Sequence, residues 1–439
     1  MRKKQKHQKN NRYPQRNAAI SRGDKTTMSM RQHRPDYTLA VICLLLLAVG
    51  LVVVYAISPG LAAQAPQLGE GHFIQRQLLA IVLAIVTFVV VSKVRLDFWF
   101  RMTPALIVAT VVALLATQFI GGDGVNAARW IHIGGLSFQS VELLKFSLVI
   151  WLASFLATRL KDGEINNPHA TLKPVGIVLA LSGVFVAVLQ SDLGSMGVVA
   201  AIVGVMLFLA GLSLRWFALG IVAVLMVGSL LIAVSPYRQE RVATFLNPQS
   251  DCLAEGYQSC QALIAIGSGG MFGKGIDRSA QAYGYLPEAA NDSIFAVYAE
   301  MFGFVGVAVL MLLFVLLFSR LYRIVERAPT VKMQLMAAGV LAWLSTQAFI
   351  NIMAMVGLFP LKGITLPFIS YGGTSIVFVT AGVALLFNIS RYTRYNPRSI
   401  DVHESQRKAY NEKSRGAYED TRQRRGHRRP HYAYSIRRS

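Results

Sequence analysis

The chain has 439 residues, of which 54% are hydrophobic and 15% charged, with a mean hydropathy of +0.46. Soluble domains carry roughly a quarter charged residues, so this composition excludes an ordinary soluble enzyme and points to a membrane protein. The net charge of +22 is concentrated in residues 1–36 and 391–439. Each basic tail abuts an apolar run and lacks a nucleic-acid motif, which favours a cytoplasmic anchor over a nucleic-acid partner.

In chain order, the first tail, 1–36, is too long and too evenly basic for the n-region of a cleaved signal peptide, and it reads as disordered. Ten apolar runs follow, each long enough to cross roughly 30 Å of hydrocarbon. They lie near 37–57, 73–92, 103–120, 141–158, 174–190, 194–211, 215–235, 294–318, 333–355 and 367–389. Runs this long and without alternation are helices, so the expected fold is an all-α polytopic membrane domain over 37–390, followed by a second disordered tail at 391–439.

Ten crossings place both termini on one side. The Lys- and Arg-rich connections at 93–102, 159–173 and 319–332 fall on that side with the tails, which makes it cytoplasmic. The opposite face receives a long connection, 236–293, between the seventh and eighth helices. Its glycine-rich centre, GSGGMFGKG at 267–275, matches neither a P-loop nor a dinucleotide fingerprint.

Several ionisable residues cluster towards the outer face. Arg129 and Trp130 suit an interfacial anchor, and Glu142 with Lys145 suits a local ion pair at i, i+3. Asp192 interrupts an apolar stretch and reads either as a helix N-cap or as a functional carboxylate. Lys274, Arg278 and Lys362 are candidates to meet phosphate. Glu288 and Asp292 stand four apart, on one face of a helix if Pro287 opens a helical turn; the alternative is a first-turn acid favoured by the helix dipole. Arg238 and Arg241 belong to a segment read as lying amphipathically on the surface. Glu300, Gln347, Asn351 and Asn388 read as interhelical hydrogen-bonding residues. Cys252 and Cys260 are eight apart, with a small disulfide and two free thiols both open.

The motifs ARWI, QSDLGS, GYQ with QALIAIGSGG, YLPEA with ND, and LPFISYGGTS, in this order and spacing, resemble those of the SEDS family (shape, elongation, division and sporulation) over roughly 37–395. FLNP at 245–248, GYQ at 256–258 and LPEA at 286–289 are more similar to the division branch than to the elongation branch.

The resemblance implies a peptidoglycan glycosyltransferase that polymerises lipid II and releases undecaprenyl pyrophosphate during septal wall synthesis. It also implies a class B penicillin-binding protein and other divisome proteins as partners in the bacterial cytoplasmic membrane. The family's Pro-Glu-x-His-x-Asp-Phe pattern maps onto residues 287–293 and makes Asp292 the catalytic candidate. Ala290 and Ser293 stand where His and Phe are usual.

On the same reading Arg129, Lys274, Arg278 and Lys362 bind pyrophosphate, with Trp130, Glu142, Lys145, Asp192 and Glu288 contributing to substrate binding. A divalent metal such as magnesium or manganese is a further possibility. Two other classes fit the helix count: a lipid II flippase and a non-catalytic divisome scaffold. Concentration of the polar groups on one outer face favours the enzyme, since a transporter places such groups near several helix midpoints.

Overall fold

The computed structural model describes residues 31–64, 67, 69, 71–120, 129–133, 136–247, 252–254, 256–361 and 363–393. Most of both basic tails, expected to be disordered, and the candidate Lys362 lie outside the described residues. A two-residue strand β1 (Arg31–Gln32) pairs antiparallel with β4 (Tyr392–Thr393), so the two ends of the described chain meet on one face.

The expected helical membrane domain is present. Among the described residues, seven helices or helical stretches are long and apolar enough to cross a bilayer: α1 (Tyr37–Gln64), α2 (His72–Lys93), α5 (Ser140–Asp162), the stretch Pro168–Leu189, α8 (Leu214–Ala233), α11 (Ile294–Arg327) and α12 (Val331–Met355). The stretch Pro168–Leu189 comprises α6 (Lys173–Ser182) between two π-helical turns. Shorter apolar helices α4 (Thr103–Ile120), α7 (Leu193–Leu209) and α13 (Gly373–Ile389) complete a set of ten that coincides with the ten apolar runs. A short helix α3 (Leu96–Arg101) joins α2 to α4.

Helices α5, α7 and α12 form the packed centre. A Cβ on Gly339 of α12 would stand 2.7 Å from Met206 Sδ and 2.9 Å from Val149 Cγ1, so this contact exists only because the residue is glycine. Trp343 and Lys145 are among the largest fully buried side chains. By contrast, α8 has no buried residue and turns its apolar side chains outward.

Two features depart from the expected pattern. Two short strands, β2 (Trp130–Ile133) and β3 (Leu136–Gln139), pair antiparallel within the otherwise helical domain. Thr374 Oγ1, at the start of α13, accepts from Gln139 N (3.1 Å) and donates to Ser137 O (3.0 Å), pinning the strand pair to that helix. The long connection is itself structured, carrying α9 (Pro236–Leu246) and α10 (Tyr257–Ser268).

The glycine-rich centre of that connection serves α11. Gly303 has φ 63° and ψ −164°, which breaks the helix. In compensation, Phe304 N and Val305 N donate to Gly270 O and Met271 O, while Lys274 N and Gly275 N donate to Glu300 O and Met301 O. The loop thus supplies the hydrogen bonds that the broken helix lacks, as a low-dielectric setting demands.

Candidate functional site

A cavity of about 180 Å³ is lined by residues at the starts of five helices, α9 with Tyr237 and Arg238 among them. Gln139 stands at the entry to α5, Asp192 caps α7, Gln258 lies in the first turn of α10, and Asp292 lies just before Ser293, the N-cap of α11. Helix N-termini carry partial positive charge and unpaired N–H groups, so their convergence favours an anion.

Three arginines also line the cavity. Arg129 donates from Nε to Gln190 O (2.7 Å) and from Nη2 to Ser191 O (3.0 Å). Its Nη1 lies against Gly363: a Cβ there would come within 3.3 Å of it and 4.0 Å of Asp292 Oδ2. The bare glycine therefore keeps room between guanidinium and carboxylate.

Arg238 and Arg241 stand three apart on α9, which Pro236 opens at its first turn. Arg238 donates to Leu231 O (2.9 Å) and Ala187 O (2.6 Å), satisfying carbonyls near the ends of two helical stretches. Arg241 donates to Leu361 O (3.1 Å) and stacks over Tyr237 at 4.9 Å. Each arginine is anchored through main-chain carbonyls, which fixes the cations in place at the cavity wall.

Asp292 is 8% exposed, and its Oδ1 has no hydrogen-bond partner. Burial is the main cause that lifts its carboxyl from an ordinary 3.8 to about 7; the Glu288 charge adds to the rise. Its own backbone hydrogen bond, Arg241 and Gln258 oppose the rise less strongly. A carboxyl so placed exchanges a proton near neutrality, the property a general base requires.

Residues 286–293 are not the helical turn that Pro287 suggests. Glu288 sits at φ 51°, its carbonyl accepts from Asn291 N and Ser293 N, and its Oε2 accepts from Asn291 Nδ2 (2.6 Å). This tight turn brings Glu288 and Asp292 to the same cavity without a shared helix face. Ser191, also on the cavity, has φ 51°. Positive φ at a non-glycine residue is strained and persists where the surroundings enforce it.

Of the residues singled out in the sequence, Arg129, Trp130, Asp192, Glu288 and Asp292 line the cavity. Asp192 also acts as the N-cap, accepting from Ser195 N (2.9 Å) and Ser195 Oγ (2.6 Å). Four others do not line it. Lys274 Nζ donates to Glu300 Oε1 (2.9 Å), on a carboxylate that Ser279 and Gln281 N also hold. The pair locks the glycine loop onto α11, and Arg278, just beyond the loop, stays off the cavity with it. Lys145 Nζ is buried between Glu142 Oε1 (2.8 Å) and Gln347 Oε1 (2.8 Å), in the helix packing beneath the cavity.

The cations that replace these, Arg238 and Arg241, carry a sequence signal only in hindsight: two arginines on one face of a short helix beside a span. Gln258 and Asn351 had weaker signals still. Cys252 and Cys260 form a disulfide with Cα atoms 5.6 Å apart; the cross-link straddles Gln258, whose Nε2 donates to Ser293 Oγ (3.0 Å). The serine that stands in the family's phenylalanine position thereby gains a polar partner.

Among the described residues, no group of three or more His, Cys, Asp or Glu converges to hold a metal ion. Both oxygens of Asp192 and one of Glu288 are already occupied within the chain.

The fold and cavity define a polytopic helical membrane protein with a site of anchored arginines around two buried carboxyls, Asp192 and Asp292. The family model described as cell cycle protein, covering FtsW, RodA and SpoVE, matches residues 37–395. Stage V sporulation protein E of Bacillus subtilis is 37% identical over 84% of this chain and all of its own length. The probable peptidoglycan glycosyltransferase FtsW of Hydrogenovibrio crunogenus is 35% identical over 84% of this chain and 95% of its own.

Among solved structures, a chain of a peptidoglycan synthase complex that coordinates polymerization and crosslinking superposes with a TM-score of 0.66 at 26% identity, covering 81% of this chain and 98% of that one. The rod shape determining protein RodA of Thermus thermophilus gives 0.58 at 27% identity, covering 82% and 98%. The chain belongs to the SEDS family of peptidoglycan glycosyltransferases.

Proposed function

We propose that this chain polymerises lipid II into glycan strands at the division septum, with Asp292 as general base. The observation that carries the reading is the Asp292 carboxyl: buried, with Oδ1 unpaired, on a cavity that three arginines share. The GlcNAc 4-hydroxyl of one lipid II attacks the MurNAc C1 of another. The C1–O bond to phosphate breaks, its electron pair leaves with undecaprenyl pyrophosphate, and the hydroxyl proton passes to Asp292.

Arg129, Arg238 and Arg241, with the converging helix N-termini, stabilise the charge that develops on the departing pyrophosphate. Burial, with a smaller contribution from Glu288, keeps the base protonatable near neutrality, and Trp130 offers an apolar wall for sugar or prenyl carbon. Positioned proton transfer contributes about 10² to 10⁴ in rate. The driving force comes with the pyrophosphate leaving group, so no nucleotide site is required.

The basic tails and connections support an orientation with both termini in the cytoplasm and the cavity outside. FtsW relatives and the FLNP, GYQ and LPEA motifs support the septal assignment. A class B penicillin-binding protein is the expected transpeptidase partner, in line with the synthase complex among the solved relatives.

The test is lipid II polymerisation by the purified full chain together with that partner. Glycan chains form with the native protein and fall to background with Asp292→Ala. Normal polymerisation by a folded Asp292→Ala protein would remove Asp292 from the mechanism. If the native complex made no glycan in detergent, the flippase reading would gain over the enzyme.

A further inference from the structure

The segment 356–372, between α12 and α13, runs back along the cavity wall and holds the residues just before α11 by their main chain. Tyr371 N donates to Ala290 O (2.8 Å), and Ser370 Oγ donates to Asn291 O (2.6 Å) while accepting from Leu366 N (2.7 Å). The next carbonyl, that of Asp292, is held differently. Asn351 Nδ2, on α12, donates to Asp292 O (2.7 Å) and to Ile364 O (2.7 Å) at once.

Asn351 is 1% exposed, and its Oδ1 has no partner, so the side chain is used as a double donor. The opposite orientation of the carboxamide would set its oxygen against two carbonyls, which fixes the assignment. One turn earlier on the same helix, Gln347 Nε2 donates to Thr365 O (3.0 Å). Two carboxamides four apart on α12 therefore grip consecutive carbonyls, Ile364 and Thr365, but only Asn351 also reaches the aspartate.

We propose that Asn351 is a positioning residue: it fixes where the Asp292 carboxyl stands by tying the Asp292 and Ile364 main chains to one buried helix. The inference rests on the reading of Asp292 as the base. Its physical ground is that α12 is rigidly packed against α5 and α7, whereas 286–293 is a turn with a strained residue at Glu288. Gly363, one residue before Ile364, borders both Arg129 and Asp292 Oδ2. One amide group thus sets the spacing between the base and the wall that carries the cation. A reacting atom displaced by about 1 Å can lose about a hundredfold in rate.

Two substitutions remove the double donor. Asn351→Asp keeps the shape and places an oxygen against both carbonyls; Asn351→Leu keeps the bulk and removes all polarity. In the full chain with its transpeptidase partner, each is expected to lower the kcat of lipid II polymerisation at least about tenfold and to leave KM within about twofold. In Asn351→Leu, which adds no charge, the acid limb of the kcat/KM profile shifts to lower pH, because a carboxyl released from its clamp becomes more hydrated; in Asn351→Asp the added carboxylate opposes that shift. The other groups facing Asp292 are unaltered: Glu288 from its own turn, Arg241 from α9, Gln258 from α10 and Arg129 beside the strand pair.

Native kcat and an unmoved acid limb in Asn351→Leu would overturn the proposal. So would a loss of kcat in both variants accompanied by an unmoved acid limb in Asn351→Leu and a lowered melting temperature, which is what a purely structural role gives. Asp292→Asn is assayed alongside. If it stays active, the base assignment has failed; if it is inactive while both Asn351 variants behave as native, only the positioning role has failed.

Discussion

If Asp292 is the base, the rate of polymerisation must follow its ionisation, and the structure puts that ionisation at about pH 7 instead of 3.8. With a single group titrating, the ionised fraction is about one tenth at pH 6, half at pH 7 and nine tenths at pH 8. The kcat/KM at pH 6 should therefore be roughly a tenth of its plateau, whereas a carboxylate with an ordinary value would give a flat profile over the same span. Glu288→Gln removes the second cause of the rise and should move the acid limb to lower pH, leaving the larger effect of burial in place.

The same shift has a consequence for stability, and its sign runs against the usual carboxylate. The folded chain holds this proton at pH values where the unfolded chain has already lost it, so stability falls as pH rises from about 4 to about 7 and is level above. From 3.8 to about 7, the cost of ionising Asp292 in place is on the order of 4 kcal/mol. Asp292→Asn should abolish polymerisation yet melt at a higher temperature than the native protein at pH 8, with the two converging near pH 4. Initial rates of glycan formation at constant ionic strength, together with melting curves of the detergent-solubilised chain, measure both. A rate constant from pH 5.5 to 8, or an asparagine variant that melts like the native protein at every pH, would refute the reasoning.

Arg241→Ala and Lys274→Ala should separate two kinds of cation. The first removes a charge from the cavity, raising KM for lipid II and moving the acid limb to higher pH because Arg241 holds the Asp292 value down; the second leaves Glu300 with fewer donors and lowers the melting temperature, with KM little changed. Lys145→Met removes the ammonium between Glu142 and Gln347 and strands a buried carboxylate, so a loss of about 3–5 kcal/mol is expected. Thermal unfolding checks that loss, and a Glu142→Gln/Lys145→Met double variant should recover part of it.

The ten apolar helices, seven of them long enough to span a bilayer, were legible because each is a continuous apolar run and hydrocarbon leaves the backbone no alternative to a helix. Asp292 was legible because its motif is local: the residues from Pro287 to Ser293 are contiguous, and a sequence pattern can carry them. The cations were not. Lys274 and Arg278 looked the better anion ligands from their glycine-rich setting, but Glu300, 26 residues from Lys274, claims the lysine and the whole loop is spent on mending the break at Gly303. Arg238 and Arg241 looked like surface residues of an amphipathic segment because only packing reveals which face of α9 meets the cavity.

Asn351 shows the same division at a single residue. The sequence identifies a polar side chain inside an apolar helix, which must find hydrogen-bond partners across a helix boundary. It does not identify them, because Asp292 and Ile364 are 59 and 13 residues away and meet only when α11, α12 and the 356–372 segment pack together. The sequence by itself determined the class and the helices and singled out Asp292 as the candidate carboxylate, since these follow from local runs of residues and their solvent. Only the tertiary structure decided which charges surround that carboxylate and which are consumed in holding the helices, because both outcomes depend on distances between segments far apart in the chain.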